Sequence, residues 1–163
     1  MSFTTRRYDF QDKAADYSSL AAELSGLLAG ETDGIANAAN TSALLFEVLP
    51  DVNWAGFYLL RDGELVVGPF QGRPACVRIA IGMGVCGAAA ARRETLVVPD
   101  VERFPGHITC DAASRSEIVI PLIRQDALLG VLDIDSPKLN RFDEHDRRGL
   151  ERLAAIFVAG SRL

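Results

Sequence analysis

The chain has 163 residues, of which 48% are hydrophobic and 24% are charged, and its formal net charge is −5. This length and composition predict one globular domain spanning residues 1–163, with a hydrophobic core that needs no disulfide framework. The acidic balance excludes a typical nucleic-acid binder, and the lack of a long apolar run or a signal-peptide core excludes a membrane partner and predicts a cytoplasmic protein.

The first half of the chain predicts two helices followed by three strands. Apolar residues at helical spacing indicate a helix over residues 12–29. A second helix is expected from Asp33, a typical N-cap, to residue 49, where Pro50 ends it. The aromatic-rich run 54–60 is typical of a strand, which a turn at 61–63 joins to a partner strand at 64–70. A third strand is predicted over residues 77–81.

The second half predicts a short helix, a long loop, a hairpin and a final helix. A glycine-rich stretch, 82–87, leads into an alanine-rich helix at 88–92, and a short strand follows at 95–98. The irregular segment 99–116 has a length that is typical of functional loops. Strands at 117–124 and 128–135 form a hairpin around Gln125 and Asp126, and an amphipathic helix begins at Asp143. This order predicts an α+β fold, with a central antiparallel β-sheet of about six strands and helices on its faces.

Three cysteines, Cys76, Cys86 and Cys110, lie in one short part of the chain, which contains no other cysteine. Because thiols in the cytoplasm stay reduced, an odd number of cysteines favours thiol chemistry over a structural framework. The arrangement suggests a nucleophilic thiol with a resolving thiol nearby. A packing role is the alternative for each, and for Cys86 it is as well supported as a catalytic one. The spacing contains no C-x-x-C pair, which argues against a zinc site.

Two pairs of side chains on the predicted strands are candidates for a binding pocket. Asp133 and Asp135 are two residues apart, so they lie on one face of a strand. A buried pair of acids tends to keep a proton on one member, which provides a negative group and an acid together. Trp54 and Tyr58 also share a strand face, and their rings can contact a methyl-sulfur group. Core packing of the rings and solvent exposure of the aspartates are the alternatives.

Six motifs of the chain resemble those of the free methionine-(R)-sulfoxide reductases, which are small stand-alone GAF-domain enzymes. The motifs are NWAGFY at 53–58, GPFQGRPAC at 68–76, GVCG at 84–87, FPGHI at 104–108, CDAAS at 110–114 and GVLDIDSP at 130–137. The resemblance covers residues 51–157 and implies that residues 1–163 form a single GAF domain with a GAF-like fold.

The resemblance implies an oxidoreductase that reduces free L-methionine-(R)-sulfoxide to L-methionine, an activity that counters oxidative stress. It makes Cys110 the nucleophile, Cys76 the resolving thiol and Cys86 the additional cysteine of the site. The nucleophile would become a sulfenic acid and then an intramolecular disulfide, which thioredoxin would reduce. Substrate binding is carried onto Trp54, Tyr58, Glu117, Asp133 and Asp135.

The resemblance implies no metal and no organic cofactor, and it implies a homodimer. Which acid binds the substrate ammonium group and which protonates the sulfoxide oxygen stays open, and His107 receives no role. Two other functions also fit the sequence. One is a GAF sensor module that binds a small ligand without turnover, and the other is a thiol redox switch.

Overall fold

The computed structural model describes residues 5–108 and 111–163. Within these ranges the chain forms four α-helices and six β-strands. The helices are α1 (Lys13–Leu27), α2 (Gly34–Val48), α3 (Gly84–Arg92) and α4 (Glu144–Gly160). The strands are β1 (Trp54–Arg61), β2 (Glu64–Gly72), β3 (Arg78–Ala80), β4 (Leu96–Val98), β5 (Ser116–Arg124) and β6 (Ala127–Ser136). The sheet order is β3-β2-β1-β6-β5-β4, and every described strand pair is antiparallel. The predicted α+β architecture is therefore confirmed.

Two tight turns fix the register of the sheet. Asp62 and Gly63 join β1 to β2, and both have positive φ angles, as do Gln125 and Asp126 between β5 and β6. Paired positive φ angles are typical of the type I′ turns whose twist matches that of antiparallel strands. The two predicted hairpins are present, and their registers determine which side chains meet across the sheet.

The larger core lies on the sheet face covered by α2 and α4, with α1 packed on α4. Alternate residues of β1, such as Phe57 and Leu59, point into this layer. A buried polar cluster joins α1 to α4, since Tyr17 Oη donates to Asp146 Oδ1 at 2.9 Å and Lys13 Nζ lies 2.6 Å from Asp146 Oδ2. These contacts stabilise the helical layer and leave the opposite sheet face for the site.

Helix α3 covers part of the opposite face and begins earlier than the sequence indicates. It starts at Gly84, whereas the prediction placed its first residue at Ala88. Glycine lowers helix propensity, which hid the first turn. Here glycine is required because a Cβ atom at Gly87 would lie 2.4 Å from the carbonyl oxygen of Ala80 in β3. The close approach seats the start of α3, including Cys86, directly against the sheet.

No helix in the two described ranges is long and apolar enough to span a lipid bilayer.

Candidate active site

A narrow cavity lies on the α3 side of the sheet, between the start of α3, the strands β1, β5 and β6, and the segment before β5. The volume that the centre of a water molecule can occupy inside the cavity is about 40 Å³. The side chains around it are both aromatic and acidic, a combination that suits a polar ligand with an apolar part. The lining residues are Trp54, Tyr58, Pro74, Ala75, Ile79, Gly84, Val85, Cys86, His107, Ile108, Asp111, Ser114, Glu117, Asp133 and Asp135.

The strand registers bring the acidic residues together. Asp135 of β6 pairs with Trp54 of β1 on one side and with Glu117 of β5 on the other. Asp133 lies two residues away, so its side chain emerges on the same face as that of Asp135. Glu117 and Asp133 are each 6% exposed. The prediction that the aspartates share a face is confirmed, and the alternative that both are solvent-facing is wrong.

Cys86 lies beside this acidic group. Its Sγ atom is 3.8 Å from Glu117 Oε1, and the nearest ligand atoms of Cys86, Glu117 and Asp133 all lie within 4.8 Å of one another. Cys86 is a buried free thiol, and burial and the nearby Asp133 and Glu117 raise its pKa well above the usual range. This thiol is therefore held in its neutral form.

Burial also favours the neutral forms of the carboxyl groups. It raises the pKa of Asp133 to about 6, while the side chains of Cys86 and Glu117 hydrogen bond to Asp133 and limit the rise. Burial, and then the charge of Asp133, raise the pKa of Glu117 and of Asp135 well above the usual range. All three carboxyl groups therefore hold their protons more tightly than exposed carboxyl groups do, and Asp133, with a pKa of about 6, is ionised near neutral pH. This arrangement supplies a negative charge and a proton donor within one small volume.

A polar network that the sequence did not reveal supports the acidic group. Asn53 Nδ2 donates to Asp111 Oδ2 and to Ser114 Oγ, both at 3.1 Å. Ser114 in turn hydrogen bonds to Asp135. These contacts tie the segment after residue 110 to the start of β1. Asn53 precedes a strand and Ser114 lies in an irregular segment, so no periodic pattern marked either residue.

The aromatic wall of the cavity is built on β1. Trp54 stacks on Tyr58 with ring centroids 5.8 Å apart and on Phe70 at 5.1 Å. Trp54 Nε1 donates to the carbonyl oxygen of Arg73 and Tyr58 Oη to that of Cys76, each at 3.1 Å. Gly56 lies between the two rings, and a Cβ atom there would be 2.8 Å from Trp54 Cη2. The indole is thus held in place by the two stacked rings and by its hydrogen bond.

Most of the predicted site residues meet at this cavity. Trp54, Tyr58, Cys86 and the three acids line it, and the backbone of Cys76 contacts Tyr58. Cys110, the predicted nucleophile, lies outside the described residues. His107 received no role from the sequence but lines the cavity, and burial lowers the pKa of its imidazole.

Comparison with known proteins places the chain in a family. The sequence model of the GAF domain family matches residues 33–159. The free methionine-R-sulfoxide reductase of Escherichia coli K12 is 55% identical over 144 residues, covering 88% of this chain and 87% of the relative. The enzyme of the same name from Saccharomyces cerevisiae S288c is 45% identical over 139 residues, or 80% of this chain and 77% of the relative.

Solved structures agree with this assignment. The X-ray structure of the free methionine-R-sulfoxide reductase from Neisseria meningitidis, in complex with its substrate, is 45% identical to this chain. It superposes with a TM-score of 0.92, covering 98% of this chain and 95% of the other. The GAF-like fold and the resemblance found in the sequence are therefore confirmed. The chain belongs to the GAF-domain family and, within it, to the free methionine-R-sulfoxide reductases.

Proposed function

We propose that the chain is an oxidoreductase that reduces free L-methionine-(R)-sulfoxide to L-methionine with thioredoxin as the reductant. The observation that carries the proposal is one cavity lined by four acidic residues, three of them Glu117, Asp133 and Asp135, and by the stacked rings of Trp54 and Tyr58. The names of the relatives from Escherichia coli and Saccharomyces cerevisiae support the same activity.

The acids fit a free amino acid better than a residue within a peptide. A free amino acid carries an ammonium group, which an ionised carboxylate can pair with, whereas a peptide-bound residue carries a neutral amide. Asp133, with a pKa of about 6, is ionised near neutral pH and is the partner we assign to the ammonium group. Burial raises the pKa of its neighbours Glu117 and Asp135 well above the usual range, so each retains its proton to a higher pH than an exposed carboxyl group does. One of them is the donor that we assign to the sulfoxide oxygen.

The rings fit the other end of the substrate. Sulfur–aromatic contacts contribute about 0.3–1.5 kcal/mol, and indole is an extended flat surface against which a methyl-sulfur group can pack. The hydrogen bonds of Trp54 Nε1 and Tyr58 Oη to backbone carbonyl groups hold the two rings in place in the cavity wall. The substrate is then held between a charged end and an apolar end, which orients its sulfur atom.

The chemical step requires a thiolate and a proton donor. In the proposal, the Cys110 thiolate attacks the sulfur of the substrate while the sulfoxide oxygen accepts a proton. The oxygen passes to Cys110 as a sulfenic acid, and methionine leaves with the electron pair. The Cys76 thiol then displaces hydroxide from the sulfenic acid, which forms a disulfide and, after protonation, water. Two thiols are oxidised for each sulfoxide reduced, and thioredoxin restores both by exchange.

The high pKa of Cys86 argues against this thiol as the nucleophile, because the thiolate is the reactive form. We assign Cys86 to the wall of the site. A homodimer in the cytoplasm remains the expected state of the enzyme.

A coupled assay separates the proposal from its two rivals. NADPH consumption is followed with thioredoxin, thioredoxin reductase and free methionine-(R)-sulfoxide. Sustained consumption that depends on the sulfoxide is expected. A sensor module would bind the sulfoxide without consumption, and a thiol switch would consume one equivalent and stop. Either result would overturn the proposal.

A further inference from the structure

The thiol and two of the acids form a cluster with the composition of a metal site. Cys86 comes from α3, Glu117 from β5 and Asp133 from β6, and their exposed fractions are 4%, 6% and 6%. One ligand atom from each lies within 4.8 Å of the others. The absence of a C-x-x-C pair argued against zinc in the sequence, but that argument does not apply to ligands brought together from three elements.

The separation of Cys86 and Glu117 is close to that of two ligands in a tetrahedral Zn²⁺ site, and Asp133 lies within reach of both. Bond lengths of about 2.3 Å to sulfur and about 2.1 Å to oxygen, at a tetrahedral angle, separate the two ligand atoms by roughly 3.6 Å. The distance between Cys86 Sγ and Glu117 Oε1 is 3.8 Å. A shift of a few tenths of an ångström would therefore allow both to bind one ion. Three protein ligands leave a fourth position for water, as in open zinc sites.

A second observation concerns one carboxylate oxygen of Asp133. Among the residues that the structure describes, none hydrogen bonds to the buried Asp133 Oδ1, so the bonds from Cys86 and Glu117 leave this oxygen of the cavity wall unpaired. Buried carboxylate oxygens are normally hydrogen bonded or paired with a charge. None of the described lining residues is a lysine or an arginine, so this cluster lacks a compensating protein cation. An ion bound between the three residues would supply the missing partner.

We propose that Cys86, Glu117 and Asp133 bind a thiophilic divalent cation such as Zn²⁺ in the space that the substrate ammonium group would otherwise occupy. A thiolate ligand selects Zn²⁺ over Mg²⁺ and Ca²⁺, which prefer oxygen ligands. Metal and substrate then exclude each other, so Zn²⁺ is a competitive inhibitor. The mutual exclusion of metal and substrate rests on the proposed function, whereas the metal site itself does not.

Metal binding is tested without any need for turnover. The protein carries Cys76→Ser and Cys110→Ser, so that Cys86 is its single thiol, and it is titrated with Co²⁺ as an optical substitute for Zn²⁺. We expect a thiolate-to-cobalt charge-transfer band in the near ultraviolet and quenching of the fluorescence of Trp54, the one tryptophan of the chain. Added Zn²⁺ should abolish the band, and excess Mg²⁺ should leave it unchanged.

Variants of the same protein assign the ligands. Adding Cys86→Ser should remove the band, and adding Asp133→Asn should weaken Co²⁺ binding by more than about tenfold. Asp111→Asn is the matched control and should bind Co²⁺ like the parent protein, since Asp111 lines the same cavity but is not one of the three ligands. Equal affinity in the Cys86→Ser and parent proteins, or the absence of the band in the parent, would overturn the proposal.

Competition is measured separately by adding free methionine-(R)-sulfoxide to the cobalt-loaded protein. Loss of the band with rising sulfoxide concentration is expected. Simultaneous binding of both would refute the shared space while leaving the metal ligands assigned. If Co²⁺ binds as described and the unmodified enzyme fails to reduce the sulfoxide, the proposed function is wrong and the metal site stands.

Discussion

Trp54 and Asp135 are direct cross-strand neighbours on β1 and β6, and both side chains line the cavity. The pairing brings an apolar ring to the edge of a group of buried acids. The same row of the sheet continues to Glu117 on β5, so three adjacent strands contribute one side chain each. A ligand in the cavity therefore meets an aromatic surface and carboxyl groups at fixed separation, because the hydrogen-bonded sheet holds all three strands.

Replacing Asp133 by asparagine should weaken recognition of the ammonium group. Loss of one partner of a buried charge pair costs at least about 2 kcal/mol, which is about 30-fold in kcat/KM. N-acetyl-methionine sulfoxide lacks the ammonium charge and should be a poor substrate of both proteins. Measuring kcat/KM of both proteins with both substrates gives a double-mutant cycle for the ammonium group and Asp133.

Asp126→Asn, in the exposed turn between β5 and β6, is the control, and it should leave kcat/KM unchanged for both substrates. If the variant lost activity equally on both substrates, Asp133 would not bind the ammonium group.

The raised pKa of Asp133 should make the enzyme less stable as the pH rises. Burial raises this pKa from 3.8 to about 6. Between pH 4 and 6 the unfolded chain releases a proton that the folded protein retains, so the stabilisation present below pH 4 is lost as the pH rises. The shift corresponds to about 3 kcal/mol across this window.

Denaturant unfolding of the wild type and Asp133→Asn at several pH values from 4 to 7 measures this effect. The free energy of unfolding of the wild type should fall relative to that of the variant as the pH rises. Groups outside the acidic cluster, such as Asp143, whose pKa is lowered to about 2, titrate alike in both proteins and cancel. Glu117 and Asp135 respond to the loss of the Asp133 charge, so the measured difference reports the titration of the whole cluster. A difference that stays constant with pH would show that Asp133 ionises normally in the fold.

A methyl group at Gly56 should disturb both the sheet and the aromatic wall. A Cβ atom there would lie 2.2 Å from Phe70 Cβ and 2.8 Å from Trp54 Cη2. Overpacking of this kind costs about 1–3 kcal/mol. Gly56→Ala should therefore lower the thermal midpoint and raise KM as Trp54 is displaced.

Gly26→Ala is the matched control, because nothing lies within 4 Å of its Cβ position in α1. Alanine has the higher helix propensity, so this variant should be as stable as the wild type or more stable by up to about 1 kcal/mol. Equal melting temperatures for Gly56→Ala and the wild type would mean that the strands separate there at little cost.

The cysteine variants should separate the chemical step from recycling. Cys110→Ser removes the proposed nucleophile and should abolish methionine formation. Cys76→Ser should still form one methionine per protein molecule and then stop, because its sulfenic acid has no resolving thiol. Rapid-quench sampling without reductant measures the yield. Equal catalytic rates for Cys110→Ser and the wild type would remove Cys110 from the mechanism.

The sequence predicted those parts of the fold that depend on local patterns. The spacing of Trp54 and Tyr58 predicted that they share one face of β1, and the turn at 61–63 predicted its partner strand. The start of α3 was predicted wrongly, since the close approach of Gly87 to Ala80 is a tertiary contact that outweighs helix propensity.

The contacts around the acids depend on the packing of distant elements. Cys86 and Glu117 are far apart in the chain, and only the seating of α3 on β5 brings Sγ to 3.8 Å from the carboxyl group. The link from Asn53 through Ser114 to Asp135 joins a strand start, a loop and a strand end. No spacing in the sequence encodes such a network, because each residue is positioned by a different element.

The account depends most on the transfer of oxygen from free methionine sulfoxide to a thiol of this chain. The direct measurement is a single turnover of the fully reduced protein with the R epimer, without reductant, followed by quantification of methionine and mass spectrometry of the cysteine peptides. We predict one methionine per chain, a disulfide between Cys76 and Cys110, and no reaction with the S epimer. Unchanged sulfoxide, or methionine formed while all three thiols stay reduced, would contradict the account.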